Sequence, residues 1–237
     1  AAHGAGSLLA MTNRTLTSLY DPAFDRDSCG FGLIANLDDG PSYDVVATAI
    51  AALARLTHRG AVAADGKTGD GCGLLLKFPQ SFLREAGTEL GFELSEHFAA
   101  GTVFLSTDEQ RAAAVRGEID AAIESFGLSV AGWREVPVRP EVCGALALET
   151  LPRIEQVFVN APAGMPHGTF NRQLFLARRR AEKRFTPIDA TAYVASLSAA
   201  TISYKGMVMP DMLPEFYPDL RDPRIASSVC VFHQRFS

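Results

Sequence analysis

Asp27-Ser28-Cys29-Gly30-Phe31-Gly32-Leu33-Ile34 is the stretch whose reading decides the fold. A thiol stands at the head of an apolar run, and glycine follows it at two alternate positions. Gly30 and Gly32 carry no side chain, so the sulfur of Cys29 is open to close approach. Cys29–Leu37 reads as a strand, closed by the turn cluster Asp38-Asp39-Gly40-Pro41-Ser42. Beyond that turn, Val46, Ala49, Ile50, Leu53 and Leu56 recur at helical spacing, which predicts a helix over Asp44–Thr57 capped by Ser42 or Asp44. A loop through His58–Gly73 then delivers a second apolar strand, Cys72–Phe78.

The same alternation of periods continues to the end of the chain. Helices are expected over Gln80–Ala86, over Asp108–Phe126 with Ala112, Val115, Ile119, Ala122, Ile123 and Phe126 on one side, and over about Phe170–Arg184. Strands are expected near Ala100–Ser106 and at Ser129–Val138, Ala145–Glu149, Arg153–Asn160, Ala192–Leu197, Thr201–Tyr204 and Ser227–Phe232. Met209–Pro223 holds four prolines and reads as loop or isolated turns. Mixed strands and amphipathic helices give an α+β or layered class, and periodicity alone does not choose among its architectures.

The composition sets bounds on function. At 237 residues with 47% hydrophobic and 21% charged content, the chain fits one large domain, or one domain with an extension, able to bury a core. A formal charge of −5 argues against a nucleic-acid-binding surface. The one basic cluster, Arg178-Arg179-Arg180 with Lys183 and Arg184, lies in an expected helix and reads as a solvated face. Four cysteines without a C-x-x-C pair offer neither a zinc site nor a disulfide framework, and suit a reducing compartment. No apolar run approaches the length of a membrane span, and Ala1–Ala10 lacks the basic start of a signal peptide. A cytoplasmic location is the expectation, with no membrane partner. Met11 stands as a candidate initiator, so residues 1–10 read as a tag remnant or upstream read-through.

Three motifs remain. Cys29-Gly30-Phe31-Gly32 comes first, Leu56-Thr57-His58-Arg59-Gly60-Ala61 second, and Phe232-His233-Gln234-Arg235-Phe236-Ser237 last. Gly69-Asp70-Gly71-Cys72-Gly73 lacks the order of a phosphate loop and precedes a strand rather than a helix, so it reads as a tight turn. A free cysteine is ordinarily a small core hydrophobe, and Cys72, Cys143 and Cys230 take that reading. In this order, the three motifs resemble the N-terminal class II glutamine amidotransferase domain of glutamate synthase large subunits. Tyr193-Val194-Ala195-Ser196-Leu197-Ser198 and Tyr204-Lys205-Gly206 resemble the same family.

The resemblance implies a four-layer α-β-β-α sandwich of N-terminal nucleophile hydrolases, incomplete at the C-terminus. It implies a leader or propeptide over residues 1–28 and the amidotransferase domain over residues 29–237. Cys29 becomes the catalytic N-terminal nucleophile once the leader is removed, and its own α-amino group acts as base. Arg235 grips the α-carboxylate of glutamine, and Arg59 and Gly30 support the site. The family's Asn-Gly oxyanion pair is absent from this sequence, so the isolated chain is expected to be an inactive fragment. No metal or cofactor is expected in it; FMN and an iron–sulfur cluster are implied for the full-length subunit. Implied partners are glutamine, the remaining domains of the same subunit, and a small subunit or ferredoxin as electron source, for glutamate synthesis from 2-oxoglutarate. Competing readings are the same fold serving another acceptor, such as amidophosphoribosyl or hexosamine-phosphate synthesis, an inert folding or inhibitory module, and an autoproteolytic hydrolase of unrelated substrate.

Overall fold

The computed structural model describes residues 30–235. Eight strands and six helices build two four-stranded sheets, each wholly antiparallel among its paired strands. The first sheet takes β1 (Gly30–Ala35), β2 (Thr68–Lys77), β7 (Thr201–Val208) and β8 (Val229–Gln234) in the order β1-β8-β2-β7. The second takes β3 (Phe98–Leu105), β4 (Ser129–Glu135), β5 (Arg153–Asn160) and β6 (Tyr193–Val194) in the order β4-β5-β3-β6.

Helix α1 (Tyr43–Ala54) starts at Ser42, whose hydroxyl accepts from the Val45 amide at 3.3 Å. It buries Val45, Val46, Ala49 and Leu53 against β1 and β8. The same core takes α2 (Gln80–Glu89) through Phe82 and Leu83, Leu74 and Leu76 of β2, Cys230 and Phe232 of β8, and Phe98 and Phe158 of the second sheet. A second core lies on the opposite face of the second sheet. There Ala99, Val103, Val157 and Val159 meet α3 (Glu109–Glu124) and α5 (His167–Phe185). Helix α3 carries the expected stripe, and Asp108 caps it by accepting from the Arg111 amide at 3.1 Å. Alternation along the first sheet leaves a second face exposed, with Phe31 at 79%, Leu33 at 59% and Met207 at 50% of their full accessibility.

Sequence patterning misplaces one element. Ala145–Glu149 is a helix, α4, rather than a strand. Four residues alternating Ala and Leu, followed by Glu149, suit either period, and good helix formers fill the turn. Distant groups decide the outcome: the Leu146 amide donates to Asp65 Oδ2 at 3.1 Å and the Ala147 amide to Thr68 Oγ1 at 3.2 Å. The expected strand over Ala192–Leu197 shortens to the two residues of β6, because Ser196 and Leu197 crowd against Gly101, where a Cβ would lie 2.7 Å from the Ser196 carbonyl. The Met209–Pro223 segment forms the isolated turns expected of its prolines, including α6 (Leu213–Phe216). The basic cluster is solvated and paired: Arg178 Nε donates to Glu182 at 2.8 Å, Arg179 pairs with the same carboxylate, and Arg184 lies 3.7 Å from Glu118.

One buried polar network ties the two sheets together. Arg134 of β4 grips Asp219 with two hydrogen bonds of 2.8 and 2.7 Å and also donates to Gln156 of β5 at 2.8 Å. The Tyr204 hydroxyl of β7 donates to Asp219 at 3.0 Å and accepts from Gln156 at 3.3 Å. Burial, with the Asp219 charge, pushes the Tyr204 phenol well above its usual range, so it stays a donor. Removing one partner of such a pair strands a buried charge. Asp219→Ala is therefore expected to lower unfolding free energy by about 3–5 kcal/mol in urea titration. A loss below about 1 kcal/mol, the level of an exposed pair, contradicts this account.

Candidate active site

Cys29 lies outside the described residues. Its neighbour in the chain, Gly30, opens β1 and pairs in register with Gln234 near the end of β8. The 3-10 turn Thr57–Arg59, which follows α1, lays the stem of Arg59 over this glycine. A Cβ built on Gly30 would lie 3.2 Å from Leu56 Cδ1 and 3.3 Å from Arg59 Cγ. A side chain at this position would press on both neighbours. The stem of Arg59 thus lies against Gly30.

The last motif meets the glycine-rich segment. Gly69, Asp70 and Gly71 lie inside β2 rather than before it, at an irregularity of its ladder, with Gly71 at φ +97°. Beyond β8 the chain turns at Arg235, whose φ is +87° and whose amide donates to the Gly71 carbonyl at 2.8 Å. The Arg235 guanidinium Nε lies 3.5 Å from Asp70 Oδ2. That same carboxylate oxygen accepts from the Ala61 amide at 2.9 Å, just past the Arg-Gly pair. Asp70 is therefore the junction between two of the three sequence motifs. With its side chain one-third exposed, Arg235 sits where an anionic group from solvent can reach it.

Two residues of this constellation escaped the sequence reading. Asp70 was legible only as part of a glycine-rich turn. Gln234 is fully buried, and a Cβ on Gly60 would fall 2.0 Å from its Nε2, so the glycine of the Arg-Gly pair is the space that the Gln234 amide occupies. The available signal was periodicity: Cys230, Phe232 and Gln234 fall on one face of an apolar strand, and a polar residue there is out of pattern.

The other thiols are core groups. Cys72 and Cys230 are fully buried, and burial pushes each thiol up to about 12; burial and the Glu141 charge also raise Cys143. His233, half-buried, is pushed down by burial and by the Lys205 charge, which keeps its ring neutral at neutral pH. Among the described residues no group of three or more His, Cys, Asp or Glu side chains is placed to hold a metal ion, and no helix is long and apolar enough to cross a membrane.

The family model described as glutamine amidotransferases class-II matches residues 29–237. The glutamate synthase (NADPH) large chain of Azospirillum brasilense is 40% identical over 228 residues, covering 94% of this chain and 15% of the relative. The corresponding large chain of Bacillus subtilis is 37% identical over 220 residues, covering 92% of this chain and 14% of the relative. Ferredoxin-dependent glutamate synthase 1 of Arabidopsis thaliana is 36% identical over 226 residues, covering 94% and 14%. The chain thus spans about one-seventh of the length of these relatives.

Thiol reactivity follows from the burial. At pH 8 a thiol with pKa near 12 is thiolate in roughly 1 molecule in 10⁴, against about a quarter for an ordinary cysteine. Brief iodoacetamide treatment of the folded chain should leave Cys72, Cys143 and Cys230 unmodified by peptide mass mapping, and unfolding in urea should expose all three. Stoichiometric native labelling at Cys72 or Cys230 contradicts their placement in the core.

Proposed function

The chain belongs to the class-II glutamine amidotransferases, and we propose that it is the ammonia-releasing domain of a glutamate synthase, with Cys29 as its N-terminal nucleophile. The observation that carries the reading is the convergence at one end of the first sheet. Gly30, which directly follows Cys29, is covered by Arg59, while Arg235 and the Arg-Gly turn share the carboxylate of Asp70. Residues 1–28 are the leader to be removed, and residues 29–237 belong to the amidotransferase domain. Two antiparallel sheets with helices packed on them agree with the four-layer sandwich of N-terminal nucleophile hydrolases.

The chemistry follows from elementary acid–base properties. A thiol of pKa near 8.5 is mostly protonated at neutral pH, and an α-amine of pKa about 8 on the same residue is a matched base. The amine takes the proton of Sγ, and the thiolate attacks the side-chain carbonyl carbon of glutamine. When the tetrahedral adduct collapses, the C–N bond breaks and the nitrogen leaves as ammonia, taking the proton held by the amine. Water then attacks the γ-glutamyl thioester, releasing glutamate and restoring the thiol. Arg235 is the residue for the substrate α-carboxylate, because a planar guanidinium meets a carboxylate with paired hydrogen bonds. Arg59 and Gly30 act by supporting the strand that carries the nucleophile.

In the longer proteins of this kind the ammonia is used to make glutamate from 2-oxoglutarate, and that use is part of the proposal. Its FMN, iron–sulfur cluster and electron donor, whether a small subunit or ferredoxin, belong to other domains. Cys72, Cys143 and Cys230 are core thiols, and among the described residues no group of three or more His, Cys, Asp or Glu side chains comes together around them. No step here is routed through such a group.

The test uses the complete subunit carrying this sequence. Intact mass and N-terminal sequencing should find Cys29 as the first residue, and 6-diazo-5-oxo-norleucine should label it. Cys29→Ser should abolish glutaminase activity. Arg235→Lys should raise the KM for glutamine by roughly tenfold or more while changing kcat less. Full turnover with residues 1–28 still attached, or an unchanged KM in Arg235→Lys, overturns the corresponding assignment.

A further inference from the structure

A cavity of about 880 Å³ opens between β7, the outer strand of the first sheet, and β6, the outer strand of the second. Gly30 lies on β1, at the opposite edge of the first sheet, so this space is separate from the Arg59–Gly30 contact. Its volume is that of a small-molecule site. Phe104, Ile154 and Phe216 give it an apolar wall, and the ring of Tyr193 stands 6.1 Å from that of Phe104. Met207 and Tyr193 keep 50% and 41% of their surface open to solvent although each borders a concavity.

A cation is built into this wall. Lys205 Nζ donates to the Tyr193 hydroxyl at 2.9 Å and lies 4.2 Å from the centre of its ring, so the side chain spans the gap between the two sheets. The backbone of Lys205 is fixed from its other side, where its carbonyl accepts from the buried Tyr217 hydroxyl at 2.8 Å. Its charge is felt across Gly73, since it adds to burial in pushing His233 down. Two carboxylates also touch the cavity. Asp70 is engaged by Arg235 and by the Ala61 amide, and Glu149 is exposed to water.

We propose that this cavity binds an amphipathic monoanion, with its anionic head on Lys205 and a flat apolar body against Phe104, Tyr193 and Met207. The ammonium is already held in place, so the head gains a charge-assisted hydrogen bond with little ordering of the protein. The body takes the exposed surface of Met207 and Tyr193 out of water, and a ring there meets two aromatic neighbours. A small polar ligand leaves the apolar wall unused, and a neutral one leaves Lys205 unused. The site stands independently of the reading of Cys29.

The probes are phenylbutyrate and its neutral counterpart phenylbutanol, titrated into the chain labelled with carbon-13 at its methionine methyl groups. The signal of Met207, identified by its loss in Met207→Leu, should shift saturably with phenylbutyrate, while that of Met165, packed on the second core, stays in place. The alcohol should bind roughly tenfold more weakly. Lys205→Gln should weaken the carboxylate by about the same factor and leave the alcohol unchanged. Phe31→Ser, on the open face of the first sheet, should leave both probes unaffected. Equal affinity for acid and alcohol, or undiminished binding of the acid to a folded Lys205→Gln, overturns the anionic head. Should circular dichroism show Lys205→Gln unfolded, the acid–alcohol comparison in the parent decides the point. Shifts that never saturate, or that spread equally to Met165, mean an adventitious additive only and overturn the site. Loss of binding in Phe31→Ser places the probe on the open sheet face and overturns it as well.

Discussion

The insertion of β8 between β1 and β2 is the constraint on which the site depends. β1 and β2 do not pair with each other; each pairs with β8 through its own antiparallel ladder. This brings Gln234 opposite both Gly30 and Cys72, and so brings the two ends of the described chain to one place. Without β8 the Arg-Gly turn loses the amide that fills Gly60, and Asp70 loses its cation. The helices set the rest of the frame. α1 covers β1 and β8 on the core side, and its following turn carries Arg59 over Gly30.

Small residues serve two different physical ends here. Gly30, Gly32 and Gly60 are sites of close approach: an added Cβ would press on Arg59, on the Phe232 ring and on Gln234 respectively. Their backbone angles are not the issue, since Gly60 sits at φ −107°. Gly71 is the converse case, at φ +97°, where β2 bends and presents its carbonyl to the Arg235 amide. Substituting the first kind moves a neighbour, whereas substituting the second strains the chain itself.

Periodicity made most of the frame legible, because a packed face repeats. The stripe of α3 from Ala112 to Ile123 is buried as read, and β5 begins and ends where the pattern placed it, at Arg153 and Asn160. The three core thiols followed from the ordinary fate of a free cysteine, and all three are buried. What the pattern missed depended on groups distant in sequence. α4 takes its caps from Asp65 and Thr68, nearly eighty residues upstream, and no local rule shows them. The site divides in the same way. Arg59 and Arg235 stood out as motifs, but the carboxylate joining the Arg-Gly turn to Arg235 did not, because the partners of Asp70 are set by tertiary packing.

The order of strands in the first sheet also governs how the chain emerges during synthesis. β2 is complete at Lys77, while its central neighbour begins only at Val229. At ~5–20 residues per second that interval lasts about 8–30 s on the ribosome. Throughout it β1 and β2 each lack the strand that satisfies their facing edges. The nascent polypeptide must therefore hold a vacant slot open, and premature zippering of β1 onto β2 is the misfold most directly available to it.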